Sequence, residues 1–225
     1  MTITQFDTDV IPTSAGDLAI TFIGHASLMM TFQEKTIHID PFSELADYSI
    51  LPKADVLFLT HEHGDHMDKD ALAHIRTGKT VTVMNENCAK ELSGGIVMHN
   101  GDTQTIEGIE VEAVPAYNIE HKRPNGDVFH PKGAGNGYVL GFGDTRVYIA
   151  ADTENTPEMK NLKDIEIAFL PMNLPYTMTP EMVADAARAF KPRILYPYHF
   201  GETDTSKIVE LLKGDEIEVR LRKLA

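Results

Sequence analysis

Apolar residues fall in short runs along the chain, and their spacing switches repeatedly between the period of two that marks strands and the longer period that marks helices. LAITFI (18–23), SLMMTF (27–32) and TIHID (36–40) read as a β-meander, with QEK turning the chain between the second and third. VLFL (56–59) is apolar at consecutive positions, as in a strand covered on both faces, and DKDALAHIR (68–76) has helical spacing with acidic residues in its first turn. TVTVM (80–84) predicts a strand, residues 88–92 a short helix, and TQTIEGIEVEAV (103–114) a hairpin turning at Gly108. YVLGF and RVYIA pair around GDT (143–145), and IEIAFL (165–170) is a further buried strand. TPEMVADAARAF (179–190) opens a helix, with Thr179 as N-cap and Pro180 at the first helical position. RILYPYHF (193–200) runs from strand into loop, SKIVELLKG (206–214) is a helix closed by Gly214, and EIEVRLR (216–222) is a last strand.

One segment has no period. NIEHKRPNGDVFHPKGAGN (118–136) is polar and rich in turn formers, and a loop of that length in a compact domain is usually functional or mobile. The remainder predicts an α/β protein, a four-layer αββα sandwich of two mixed β-sheets flanked by helices. With no internal repeat, low-complexity tract or linker, residues 1–225 read as a single domain.

Composition narrows the function classes. Hydrophobic residues at 42% and charged residues at 24% are the balance of a soluble globular protein with a packed core. A formal net charge of −14 repels phosphate backbones and anionic membranes, which disfavours nucleic acid as a partner. No apolar run is long enough to span a bilayer and the start lacks a basic then apolar stretch, so no membrane insertion is expected and the cytoplasm is the default location. Cys88 has no partner for an internal disulfide, and in NENCAKEL it reads as a small buried residue at a helix start.

The chemistry is concentrated just past VLFL. LTHEHGDHMD (59–68) packs three histidines and three acidic residues into ten positions, an expensive choice where a buried strand ends unless the side chains hold something. In extended backbone His61, His63 and Asp65 point to one side, and a turn at Gly64 brings His66 round to join them. Imidazole and carboxylate without sulfur are donors for a reactive zinc site, with iron and manganese as alternatives. Two other polar residues end apolar strands and would face a shared cleft: Asp152 after RVYIAA and His199 after RILYPY.

The hexapeptide from His61 to His66, followed in order by Asp152 and His199 and preceded by a strand-turn at Asp40, resembles the metal-binding pattern of the metallo-β-lactamase-fold hydrolases over nearly the whole chain. IGHAS (23–27) and IDP (39–41) further resemble the branch with ascorbate-6-phosphate lactonase-like and N-acyl-ethanolamine phospholipase-like proteins. The resemblance implies that His61 and His63 hold a first metal, that Asp65, His66 and His199 hold a second, and that Asp152 bridges the two. One position departs from the pattern. After the strand EVEAVPAY a third histidine is expected, and Asn118 stands there, a weaker ligand. His121 and His130, in the aperiodic loop beyond, are the replacements available. His25 and Asp40 are assigned to bracing the ligands or to plain structure.

The implied cofactor is one or two divalent ions, zinc before iron or manganese. Such ions turn a bound water into a hydroxide nucleophile and polarise the oxygen it attacks, which makes an ester, lactone, amide or phosphodiester hydrolysable. Their positive charge would draw a small anionic substrate into an otherwise acidic protein. Asp65 carries two readings, ligand and orienter of the attacking water. Tyr117, Tyr176, Tyr198 and Lys132 are possible substrate donors, and PYTMTP (175–180) with the 118–136 loop the expected substrate walls. An iron-dependent oxidoreductase of the same fold and a binding protein that has lost catalysis are the competing classes. RTGKT (76–80) fails as a phosphate loop because Ala73 stands at the required first glycine, and GAGNGY (133–138) fails as a dinucleotide fingerprint because Tyr138 stands at the last.

Overall fold

A computed structural model describes residues 6–225. Two mixed seven-stranded sheets face each other. The first contains β1 (Thr8–Thr13), β2 (Gly16–Gly24), β3 (Ser27–Phe32), β4 (Lys35–Ile39), β5 (Val56–Phe58), β6 (Val81–Met84) and β7 (Ile96–Val97), in that spatial order. The second contains β8 (Thr103–Ile106), β9 (Ile109–Ala116), β10 (Gly135–Phe142), β11 (Thr145–Ile149), β12 (Ile167–Pro171), β13 (Ile194–Tyr198) and β14 (Glu218–Val219). In each sheet the first four strands are antiparallel and the later ones parallel, so the predicted meander and the doubly covered strands both appear.

The layers follow from which faces are apolar. Inward side chains of both sheets, among them Phe22, Phe58, Tyr138, Phe169 and Tyr196, make the central core. Each such side chain contributes roughly 1.5–3 kcal/mol by leaving water. The outer face of the first sheet packs on α1 (Lys69–Ile75) and α2 (Glu86–Glu91), and Cys88 is buried there, its thiol pushed up to about 12 by burial. The outer face of the second sheet packs on α3 (Pro157–Lys160), α4 (Pro180–Phe190) and α5 (Ser206–Leu211). This is the αββα order. The α4 cap is the one the sequence predicts, Thr179 accepting from the Met182 amide ahead of Pro180, and at α1 Asp68 caps the helix by accepting from the Asp70 and Ala71 amides.

Differences lie at the edges. Among the described residues β1, which carries Pro12, pairs only with β2, and an edge strand is where a sheet tolerates a residue without an N–H. β7 and α3 are too short to leave a period in the sequence. The last strand spans two residues instead of the predicted seven: the Arg220 amide still bonds to Leu195 O at 2.9 Å, and the side chains of Arg220 and Arg222 reach Asp9 on β1, the Arg222 guanidinium meeting both Asp9 oxygens at 2.7 Å. β10 starts inside GAGNGY, where Gly137 is required: a Cβ there would stand 2.9 Å from the carbonyl oxygens of Ile149 and Ala150. His38 is buried against the Pro52 carbonyl at 3.0 Å and held at about 4 by burial, a structural histidine, and His74 is exposed on α1.

Candidate metal centre

Five strand ends converge. His25 follows β2, Asp40 follows β4, His61 to His66 follow β5, Asp152 follows β11 and His199 follows β13. At four of these corners the chain turns through left-handed backbone on residues other than glycine: His25 at φ 50°, Asp40 at 44°, Ala151 at 62° and His199 at 46°. Each costs roughly 1–3 kcal/mol and persists only where the surroundings impose it. Here they do. The Asp40 amide donates to Phe58 O at 3.1 Å, the His199 amide to His25 O at 3.1 Å, and the Ala151 amide to Tyr198 Oη at 2.8 Å. Tyr198 therefore fixes the turn before Asp152 and does not face the cleft.

The Asp152 carboxylate lies between two groups of side chains. Its Oδ1 is 3.5 Å from His66 Nε2 and 3.4 Å from His199 Nε2, and its Oδ2 is 3.3 Å from His130 Nε2 and 3.9 Å from His61 Nε2. On the first side, Asp65 Oδ2 adds a donor 3.7 Å from both His66 Nε2 and His199 Nε2, and His25 Nε2 holds that oxygen at 3.1 Å. On the second side, His63 Nδ1 stands 3.0 Å from His61 Nε2. His25, Asp65, His66 and His199 form one compact set of donor atoms, His61, His63 and His130 another, and Asp152 joins His61 and His66 between them.

Three observations fit this set to a cation. Among the described residues, His66 Nε2, Asp152 Oδ1 and both ring nitrogens of His199 are buried without a hydrogen bond, a costly state unless something else satisfies them. The donors are nitrogen and carboxylate oxygen with no sulfur. His66 is aimed: Asp40 accepts from its Nδ1 at 2.8 Å and from the Thr60 amide and hydroxyl at 2.9 and 2.6 Å, which leaves Nε2 as the atom facing Asp152.

The charges are arranged to match. Burial alone would raise the Asp152 carboxyl, but the imidazoles of His199, His66 and His61 hold it well below the usual range; Asp65 is held low in the same way, chiefly by His199 and His25. Burial would lower His66, yet Asp152 and Asp40 overcome it and push the ring up to about 9. Burial drives His61 far down and His130 to about 4. The proton on His66 thus offsets part of the negative charge of Asp152, Asp65 and Asp40, and a cation at the same place would displace it.

Asn118 meets the cluster indirectly. Its Oδ1 accepts from both the amide and the Nδ1 of His130, at 2.8 Å each, so the His130 ring presents Nε2 to Asp152. His121, the other replacement considered, turns instead toward Glu154, with Nδ1 at 2.8 Å from Oε1. A cleft of about 360 Å³ opens over the cluster, lined at its mouth by Arg123, Phe129, Asn173 and Tyr176. Both expected walls contribute to it. Tyr117 and Lys132 do not; they pair with Glu158. Arg123 was not singled out by the sequence, where it is one cation in a polar loop; only the fold puts it over the cleft, 4.9 Å above the Phe129 ring.

The beta-lactamase superfamily domain matches residues 19–199, a span that holds every residue of this centre. A crystal structure described as a metal-dependent hydrolase of Parabacteroides distasonis is 50% identical, covers 98% of this chain and all of its own, and superposes with a TM-score of 0.94. A curated metal-dependent hydrolase of Methanopyrus kandleri is 30% identical over 200 residues, 82% of this chain and 84% of the relative. A diiron β-hydroxylase of Streptomyces venezuelae shares the fold at 18% identity, a TM-score of 0.69, and coverage of 94% of this chain and 54% of its own.

Proposed function

The chain belongs to the beta-lactamase superfamily domain family, and from that premise we propose that it is a metal-dependent hydrolase of small anionic esters, lactones or phosphodiesters. The observation that carries the reading is the convergence of unsatisfied buried donors on Asp152. His61, His63 and His130 would hold one divalent cation, Asp65, His66 and His199 a second, with Asp152 between them, and zinc is the ion that best suits this mixture of imidazole and carboxylate. When bound, such cations acidify water and polarise a carbonyl or phosphoryl oxygen.

The protein's own groups do the rest. Asp65 orients the attacking water in this reading: it faces the cleft with 38% of its side chain exposed, and His25 fixes its Oδ2 at 3.1 Å. As the water oxygen bonds to the substrate's carbon or phosphorus and the bond to the leaving group breaks, Asp65 accepts the water's hydrogen bond and the water's proton passes to the departing oxygen. Arg123 would meet an anionic substituent, and the edge-to-face pair Phe129 and Tyr176, with ring centroids 5.1 Å apart, would flank an apolar portion. The half-exposed Tyr176 supports that wall.

The test is direct. Metal analysis and an absorption spectrum of the isolated protein should give about two colourless divalent ions per chain. The loaded protein should then hydrolyse members of a panel of anionic aryl esters, lactones and bis-aryl phosphodiesters. Coloured, redox-active iron with no hydrolysis would overturn the proposal in favour of oxygen chemistry.

A further inference from the structure

Glu154 is fully buried yet carries a carboxylate, two residues beyond Asp152. Its oxygens collect the amides of Ile119 and Glu120 at 2.8 Å, that of His121 at 2.7 Å, and the side-chain amide of Asn118 at 3.1 Å. Three successive backbone N–H groups folded around an anion form a nest, and this one is filled from within by the protein's own side chain. The loop that opens at Asn118 is therefore anchored at its first turn.

That anchor has a direction. Asn118 Nδ2 is committed to Glu154 and to the Tyr176 carbonyl at 2.9 Å, so the amide cannot flip without losing both bonds, and its Oδ1 has to face His130. Oδ1 in turn takes the His130 amide and Nδ1, and His130 Nε2 ends 3.3 Å from Asp152 Oδ2. The turn from Asp152 to Glu154 thus works at both ends of one connection: Asp152 enters the centre directly, and Glu154 returns to it through Asn118 and His130. The Glu154 amide, bonded to Tyr117 O at 3.0 Å, joins that turn to the start of the loop.

We infer that Glu154 and Asn118 are positioning residues that together supply a loop-borne histidine, His130, to the His61–His63 cation site. The inference rests on the metallohydrolase reading above, and it explains how Asn118 can stand where a direct ligand is expected without leaving that site a nitrogen short. Glu154→Gln is the informative change, since it keeps the shape but turns an N–H group onto N–H donors.

Metal-stripped wild type, Glu154→Gln, Asn118→Ala and the double variant are titrated with Zn²⁺ by calorimetry and with Co²⁺ by absorption. Wild type is expected to take two equivalents. Each single variant should keep one of them unchanged and bind the other roughly 10- to 100-fold more weakly, the usual effect of removing a partner that orients a ligand. The double variant should be no worse than either single one, because both changes cut the same connection. Thermal melting of the stripped proteins separates folding from positioning, and Asn118→Ala, which spares the buried nest acceptor, serves if Glu154→Gln does not fold. Two full-affinity equivalents in the folded variants would overturn this inference alone. A wild type that takes up no cation would overturn the hydrolase reading and the inference with it.

Discussion

The two donor groups on either side of Asp152 are built differently. His199 stands next to the end of β13 with its amide on His25 O, and His66, in the turn after His63, is aimed by Asp40, itself fixed by the Thr60 amide and hydroxyl. His130 stands near the end of a long irregular segment and is held through the Asn118 side chain, while His63 is only half-buried. The difference teaches that one fold can furnish a rigid and a pliable half of a single centre. A cation on the His66–His199 side should bind tightly, and one on the His61–His130 side should exchange more readily.

The sharpest way to break that comparison is to remove what the halves share. Asp152→Ala should abolish both cation equivalents and reduce hydrolysis to background, read by metal analysis and turnover. Next, His199→Ala and His130→Ala should each remove one equivalent, and the residual site in His130→Ala should be the tighter, as competition with a chelator would reveal. Asp40→Asn should weaken the His66 side about 10- to 100-fold and leave the other side alone, the reverse of what Glu154→Gln does.

A pH series sharpens the contrast without mutation. His66 is raised from 6.5 to about 9, so in the metal-free protein its contribution is complete below pH 6.5 and is lost as the pH rises through about 9. His130 is depressed to about 4, so its contribution is complete above pH 6.5 and is lost as the pH falls through about 4. The metal-free melting temperature should therefore fall toward both limits. Cation binding, which needs neutral imidazoles, should tighten between pH 6.5 and 9 as His66 gives up its proton. Arg123→Ala should have the smallest effect, raising KM for anionic substrates about two- to fivefold with kcat unchanged, in line with an exposed charge contact.

Much of this centre was legible because of where its residues sit in the chain. His61, His63, Asp65 and His66 crowd one hexapeptide, and Asp152 and His199 each end an apolar run, a position that points a side chain out of a sheet. His130 was only one of two histidines in an aperiodic loop. What selects it over His121 is the Asn118 side chain, and the hold on Asn118 comes from Glu154, 36 residues away in the sequence. Contacts of that kind leave no period. The left-handed corners were equally hidden, since histidine, aspartate and alanine do not announce the conformation as glycine does. The sheets were read from alternation, and the reading ran too long at the last strand, where the alternating arginines put their side chains on Asp9.

Ala151, at φ 62° beside the shared carboxylate, has a practical consequence. Replacement by glycine should relieve roughly 1 kcal/mol of distortion and raise the melting point. The same change would let Asp152 wander between its neighbours. Anyone hardening this protein against heat will find the easiest gains at the corners that set its aim, so durability and accuracy pull against each other there.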